Sequence, residues 1–200
     1  MVKITRIGVL SIQGAVSEHI AIMNRALREE GLQGDTTFVR RSLDIERIDA
    51  LILPGGESTT ISRILVRTGM HEAIKKRIVR NDFPIMGTCA GCVLLAKELT
   101  DNPGDVQLLK AMDMRVERNA FGRQKQSCER SLDIKGFDAP FNAVFIRAPI
   151  ITKVWGSCEV LATLEKEIVM ARQGHYLALS FHPELTSDLR VHRMFLRMLP

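Results

Sequence analysis

Residues 87 to 91 read Gly-Thr-Cys-Ala-Gly and follow the apolar run "FPIM". A nucleophile on the sharp turn between a strand and a helix needs small residues two positions before and after it, because the backbone there folds tightly on itself. Gly87 and Gly91 meet that demand. Cys89 would then sit at the start of the following helix, where the macrodipole favours a thiolate. The backbone N–H of Ala90 would point towards an oxyanion forming on an attacked carbonyl. Taken alone, the pentad fits a buried structural cysteine equally well. Cys92 adds a C-x-x-C spacing, which also admits a redox dithiol or half of a zinc site.

Two further stretches bear on that choice. In "LSFHPEL", His182 and Glu184 are two apart with Pro183 between them. If the segment continues the preceding apolar run as extended chain, both side chains project to one face. An imidazole could then shuttle protons while a carboxylate orients it and stabilises its cation. A lone H-x-E also fits a surface strand end with an incidental ion pair. In "LILPGGESTT", a strand ends in Pro54 and the turn Gly55–Gly56. Such a turn at the carboxyl end of a parallel strand is where α/β sheets hold ligands, and its free N–H groups could complete an oxyanion hole. It lacks the lysine of a P-loop and the G-x-G-x-x-G pattern, which argues against nucleotide binding.

The elements that must position these residues alternate. "RIGVLSI", "TTFVRR", "DALILPGG" and "FPIMGTC" read as strands buried on both faces, separated by helical patterns over 17–31 and 58–79. Ser17 is a candidate cap for the first helix, Gly69 breaks the second region in two, and "AGCVLLAKEL" reads as the helix after the elbow. This rhythm predicts a mostly parallel central sheet with helices on both faces. After residue 105 the strand-like pieces "MRVER", "SCERSLDI", "FNAVFIR", "CEVLATLE", "EIVMAR" and "HYLALSF" predict a smaller antiparallel portion. A final amphipathic helix, capped by Ser187 or Asp188, carries Val191, Met194, Phe195 and Met198 on one face. The expectation is one α/β domain over residues 1–200.

Composition limits the function classes. The chain has 200 residues, 46% hydrophobic and 26% charged, as in ordinary globular proteins. Its formal net charge of +5 comes from scattered basic residues and only 5% of the chain is aromatic, which points away from nucleic acid. No apolar run is long enough to span a bilayer, and the N-terminus reads as a first strand rather than a signal peptide. Four cysteines do not make a disulfide framework in a chain of this size, so a reducing cytoplasm is expected.

The stretches "GVLSIQGAVSEH", "LILPGGESTT", "GTCAG", "ERNAFGRQ", "VFIRAP" and "FHPELT", in this order over residues 8 to 186, resemble the class I glutamine amidotransferases. "GGESTT", "RNAFGRQ" and "FIRAP" are most similar to the vitamin B6 branch, the glutaminases of pyridoxal 5′-phosphate synthases. The resemblance implies a flavodoxin-like fold and a Cys89–His182–Glu184 triad that hydrolyses L-glutamine to glutamate and ammonia through a glutamyl thioester. It implies an oxyanion hole at Gly56 and Ala90, and glutamine binding by Gly56, Glu57, Ser58, Arg118, Ile146 and Arg147. An arginine suits the substrate α-carboxylate and Glu57 its α-ammonium. The implied partner is the barrel-shaped synthase (lyase) subunit, in a hetero-oligomer whose docking completes the glutaminase site, with the "SIQGAVSEH" segment a candidate contact. No cofactor and no metal is implied. The competing readings are a Cys89–Cys92 redox pair, a non-catalytic scaffold, and a glutaminase of histidine biosynthesis. In the favoured reading Cys92 belongs to the core.

Overall fold

The computed structural model describes residues 4–100, 104–118 and 127–199. Of the "ERNAFGRQ" stretch, residues 119–124 lie outside the described residues. The N-terminal half runs β1 (Thr5–Leu10), α1 (Val16–Glu29), β2 (Gly34–Val39), α2 (Ser42–Ile45), β3 (Ala50–Leu53), α3 (Ser58–Arg67), α4 (Met70–Arg80) and β4 (Ile85–Thr88). Then come α5 (Ala90–Leu95), β5 (Ala96–Leu99), β6 (Met112–Glu117), β7 (Ser127–Leu132), β8 (Phe141–Ile146) and β9 (Ile150–Val154). The chain closes with β10 (Glu159–Leu164), β11 (Glu167–Gln173), β12 (Tyr176–Leu179), a 3-10 turn at Pro183–Leu185 and α6 (Arg190–Leu196).

One ten-stranded sheet has the order β2-β1-β3-β4-β12-β11-β9-β6-β5, with β10 paired to β11, and β7–β8 form a separate antiparallel pair. The strands from β2 to β12 are parallel, as the alternating pattern predicts. From β12 to β6 the pairing is antiparallel, and β5 joins the edge in parallel. The parallel strands read as continuous apolar runs because each face has its own core. Leu51, Leu53 and Ile85 pack with Ile61, Leu65 and Ile74 from α3 and α4 on one side. Ile7, Val9, Ile52 and Met86 pack with Met23 and Leu27 of α1, Phe195 of α6 and Phe145 of β8 on the other.

Several local expectations are corrected. The helix after the elbow stops at Leu95, and "AKEL" becomes β5, because pairing with β6 outweighs the helical preference of Ala, Lys, Glu and Leu. Strand β9 was not among the expected pieces. Ser17 does not cap α1, whose N-cap is Ala15 without a side-chain bond. Helix α6 begins only at Arg190, whose N–H donates to Asp188 Oδ1 at 2.9 Å, and its buried set includes His192 alongside Val191 and Phe195. Gly69 does separate α3 from α4, adopting the left-handed conformation at φ 71°.

Candidate active site

In parallel register, β1, β3, β4 and β12 are consecutive neighbours, so the segments leaving their carboxyl ends meet on one edge of the sheet. Those segments carry Gln13–Gly14, Gly55–Glu57, Cys89 and His182. The elbow is tight. A Cβ on Gly87 would lie 2.5 Å from the Gly91 carbonyl carbon, and one on Gly91 would lie 2.0 Å from the Leu53 carbonyl oxygen. Both small positions are therefore occupied by necessity. Cys89 itself sits at φ 50°, ψ −105°, a conformation costing about 1–3 kcal/mol that only an over-determined surrounding maintains. Its N–H donates to Leu179 O at 2.8 Å, which ties the turn to β12. Its Sγ lies 3.8 Å from the Ile146 carbonyl oxygen.

His182 and Glu184 come together by a different route from the extended one. His182 precedes the 3-10 turn, with φ −108° and ψ 87°, and the turn swings Glu184 back beneath the ring. The ring Nδ1 is 2.7 Å from Glu184 Oε1, which leaves Nε2 for Cys89. The His182 N–H donates to Val144 O at 2.8 Å, anchoring the start of the turn. A Cβ on Gly55 would approach the His182 ring to 2.6 Å, so the glycine turn after β3 forms the floor under the imidazole.

Charge follows from these contacts. Burial alone would lower the His182 pKa, but hydrogen bonds and charge from Cys89 and Glu184 overcome it and push it up to about 10. Burial works to raise the Glu184 pKa, and the His182 hydrogen bond with the neighbouring His19 and His182 rings holds it below the usual carboxylate range. At neutral pH the arrangement favours imidazolium beside carboxylate. Glu57 is the N-cap of α3, accepting from Thr59 N at 2.9 Å and Thr60 N at 2.7 Å. Although burial opposes it, these bonds and the threonine hydroxyls lower its pKa to about 2.

A cavity of about 480 Å³ opens over the elbow. Its lining includes Gly56, Glu57, Ser58, Cys89, Ala90, Arg118, Ile146, Arg147 and His182, nine of the ten residues singled out from sequence; Glu184 lies behind the ring, with no exposed side-chain surface. The two arginines differ. Arg118 Nη1 is 3.3 Å from Thr59 Oγ1 and 3.7 Å from Asp105 Oδ1. Arg147 has no ion-pair partner among the described residues, and its backbone adopts φ 43°. Gln13, Gly14, Val93 and Pro149 also line the cavity and were not foreseen as site residues. Gln13 Oε1 accepts from Glu57 N at 3.0 Å. The signal for it was the adjacency of β1 and β3, which brings their following loops together.

Cys92 is fully buried in the apolar cluster beneath α3, and burial with the nearby Cys89 and Cys158 pushes its thiol far up. A resolving thiol needs access and thiolate character, and Cys92 has neither. Among the described residues no group of three or more His, Cys, Asp or Glu side chains could hold a metal ion, and no helix is long and apolar enough to cross a membrane.

A family model described as the SNO glutamine amidotransferase family matches residues 9–200. A relative from Methanosarcina acetivorans, named pyridoxal 5′-phosphate synthase subunit PdxT, is 47% identical over 194 residues, covering 96% of each chain. A Thermococcus onnurineus relative of the same name is 47% identical over 193 residues, covering 96% of this chain and 98% of its own. One solved structure, described as a glutamine amidotransferase, matches with a TM-score of 0.85 at 43% identity, covering 96% of this chain and 97% of its own. A glutamine amidotransferase from Thermotoga maritima matches with a TM-score of 0.63 at 16% identity, covering 96% and 84%, and shares the fold alone.

Proposed function

The chain belongs to the SNO glutamine amidotransferase family, and from that premise we propose that, as one domain, it is the glutaminase subunit of a pyridoxal 5′-phosphate synthase. The observation that carries the reading is the cavity in which Cys89, His182 and the glycine turn converge, with Glu184 hydrogen-bonded behind the imidazole. L-Glutamine enters with its α-carboxylate on Arg147, which lacks an internal partner among the described residues, and its α-ammonium near the ionised Glu57. Arg118 braces Thr59 and Asp105 at the cavity wall.

Cys89 Sγ, as thiolate, attacks the side-chain amide carbon, and the carbonyl electron pair moves onto oxygen. The N–H groups of Ala90 and Gly56 are the donors assigned to that oxyanion. His182 Nε2–H protonates the amide nitrogen, the C–N bond breaks, and ammonia leaves a glutamyl thioester. Water then gives a proton to His182 and attacks the thioester carbon. Collapse releases glutamate and regenerates the thiolate–imidazolium pair. An imidazole held protonated past neutrality has the required proton in place before the leaving group needs it.

Ammonia released into water would be protonated and lost, so the product is useful only where an acceptor enzyme is docked. The relatives' name, a synthase subunit, supports a second subunit as that acceptor. The test is glutamate release from L-glutamine with and without the synthase subunit, with Cys89→Ala as control. Activity should rise on adding the partner and vanish in Cys89→Ala. Activity that survives Cys89→Ala would overturn the mechanism, and activity indifferent to the partner would overturn the docking.

A further inference from the structure

Behind the triad lies a group that the reaction above does not use. His19, in the first turns of α1, is completely buried. Its Nε2 is 3.4 Å from Glu184 Oε2 and 3.3 Å from the hydroxyl of Thr88, the residue immediately before the nucleophile. Glu184 Oε1 is committed to His182, whereas Oε2 is buried and accepts no well-aligned hydrogen bond. Besides His182, the ring of His19 is the basic side chain that pairs with Glu184 among the described residues.

Resting on the triad reading, we propose that His19 is a positioning residue for glutamine hydrolysis: its Nε2 edge, held by Thr88 Oγ1 and 3.4 Å from Oε2 of Glu184, confines that oxygen so that Oε1 stays on His182 Nδ1. A carboxylate with one tethered oxygen can rotate about its last side-chain bond and lose the 2.7 Å contact, and a polar ring edge against the second oxygen restricts that freedom. The tautomer follows from electrostatics. Burial, the largest influence, and the His182 charge lower the His19 pKa, opposed by Glu184 and by Glu18 on the same helix, so the ring is neutral near pH 7. With its proton on Nε2 the ring turns a positive edge to both Thr88 Oγ1 and the carboxylate, whereas a proton on Nδ1 would let Nε2 accept from Thr88 but set its lone pair against Oε2; the brace uses the Nε2–H form. From α6, His192 packs against His19 with ring centroids 6.4 Å apart, and burial lowers its own pKa to about 3, so it brings no positive charge to the group. An imidazole buried only for packing would incur a desolvation cost that an aliphatic side chain avoids, whereas Nε2 here lies between two buried polar groups, Thr88 Oγ1 and Glu184 Oε2.

The test compares His19→Leu with His19→Gln, assayed as glutamate release in the presence of the synthase subunit, with melting temperature measured in parallel. Leucine removes the donor, whereas the glutamine Nε2 reaches roughly where the imidazole Nε2 lies. His19→Leu should lower kcat about tenfold with KM unchanged. Its acid limb should move to higher pH, because Glu184 loses a stabilising neighbour. His19→Gln should restore most of kcat and return the acid limb. Should leucine prevent folding, His19→Asn, whose amide is too short to reach Oε2, carries the same expectation. Adding His19→Leu to Glu184→Gln should cost no further activity, because the brace has nothing left to hold. Equal kcat in all three His19 variants, or additive losses in the double variant, overturns the proposal. Activity in Cys89→Ala instead overturns the triad reading beneath it.

Discussion

Replacing Glu184 by glutamine is the most discriminating perturbation of this site. The change is nearly isosteric, so the 3-10 turn over Pro183–Leu185 can persist, and the amide oxygen can still accept from His182 Nδ1. What disappears is the charge. The imidazole is carried from 6.5 to about 10 against its own burial, jointly by Glu184 and Cys89. At about 1.4 kcal/mol per pH unit, that is on the order of 5 kcal/mol of added preference for imidazolium in a largely buried setting. If Glu184 supplies about half, its loss removes about 2 kcal/mol from the step in which His182 must hold and deliver a proton, or roughly 30-fold in kcat. In the proposed binding mode substrate contacts run through Arg147 and Glu57, so KM should change little. The assay is steady-state glutamate release with the synthase subunit present, paired with NMR of the His182 ring. Wild type should keep the imidazolium signal past pH 8, and Glu184→Gln should lose it at lower pH. A kcat within threefold of wild type, or an unmoved ring titration, would refute the reasoning that the carboxylate's charge sets the imidazole.

Cys92→Ser should leave kcat within about threefold while lowering the melting temperature, because it buries a hydroxyl in an apolar cluster at a cost of about 1–3 kcal/mol. Loss of glutamine hydrolysis in a variant that remains folded would revive the dithiol reading. Arg147→Gln should raise KM for glutamine about 10- to 100-fold with a smaller change in kcat, as expected for the loss of a charged hydrogen bond worth about 1.5–3 kcal/mol. Arg118→Gln should have the smaller KM effect, and the reverse ranking in saturation kinetics would exchange their roles. Gly91→Ala should abolish activity and reduce soluble yield, because its methyl would lie 2.0 Å from the Leu53 carbonyl oxygen. A fully active, stable Gly91→Ala protein would contradict the close packing of the elbow on β3.

The parts of this site that rest on short-range covalent geometry were legible in the chain. Gly87 and Gly91 could be read because a turn of that shape admits little else, and both meet backbone atoms within van der Waals range. His182 and Glu184 were readable as a pair, yet the path joining them was not. An extended segment and a 3-10 turn both bring positions two apart together, and Pro183 is compatible with either. Gln13 and His19 were missed as site residues because their roles depend on neighbours that the sequence leaves unspecified. Gln13 acquires meaning only when β1 lies beside β3, and His19 only when α1 covers the turn after β12. The antiparallel half was recognised as strands but not as a continuation of the main sheet. Nothing local to "AKEL" announces that its partner is β6.

The last strand of the sheet occupies one of its middle places, and that ordering has a consequence for how the protein is made. On a ribosome, β4 and Cys89 emerge long before Tyr176–Leu179, so the nascent chain presents β4 with one unpaired edge until β12 arrives between it and β11. The turn that holds the nucleophile is itself incomplete until then, because the Cys89 N–H has its acceptor on Leu179. Residues 176–179 must therefore be made before the Cys89 turn is drawn into its final pose, and the same insertion closes the exposed edge of β4. One pairing step thus completes both the middle of the sheet and the turn at Cys89.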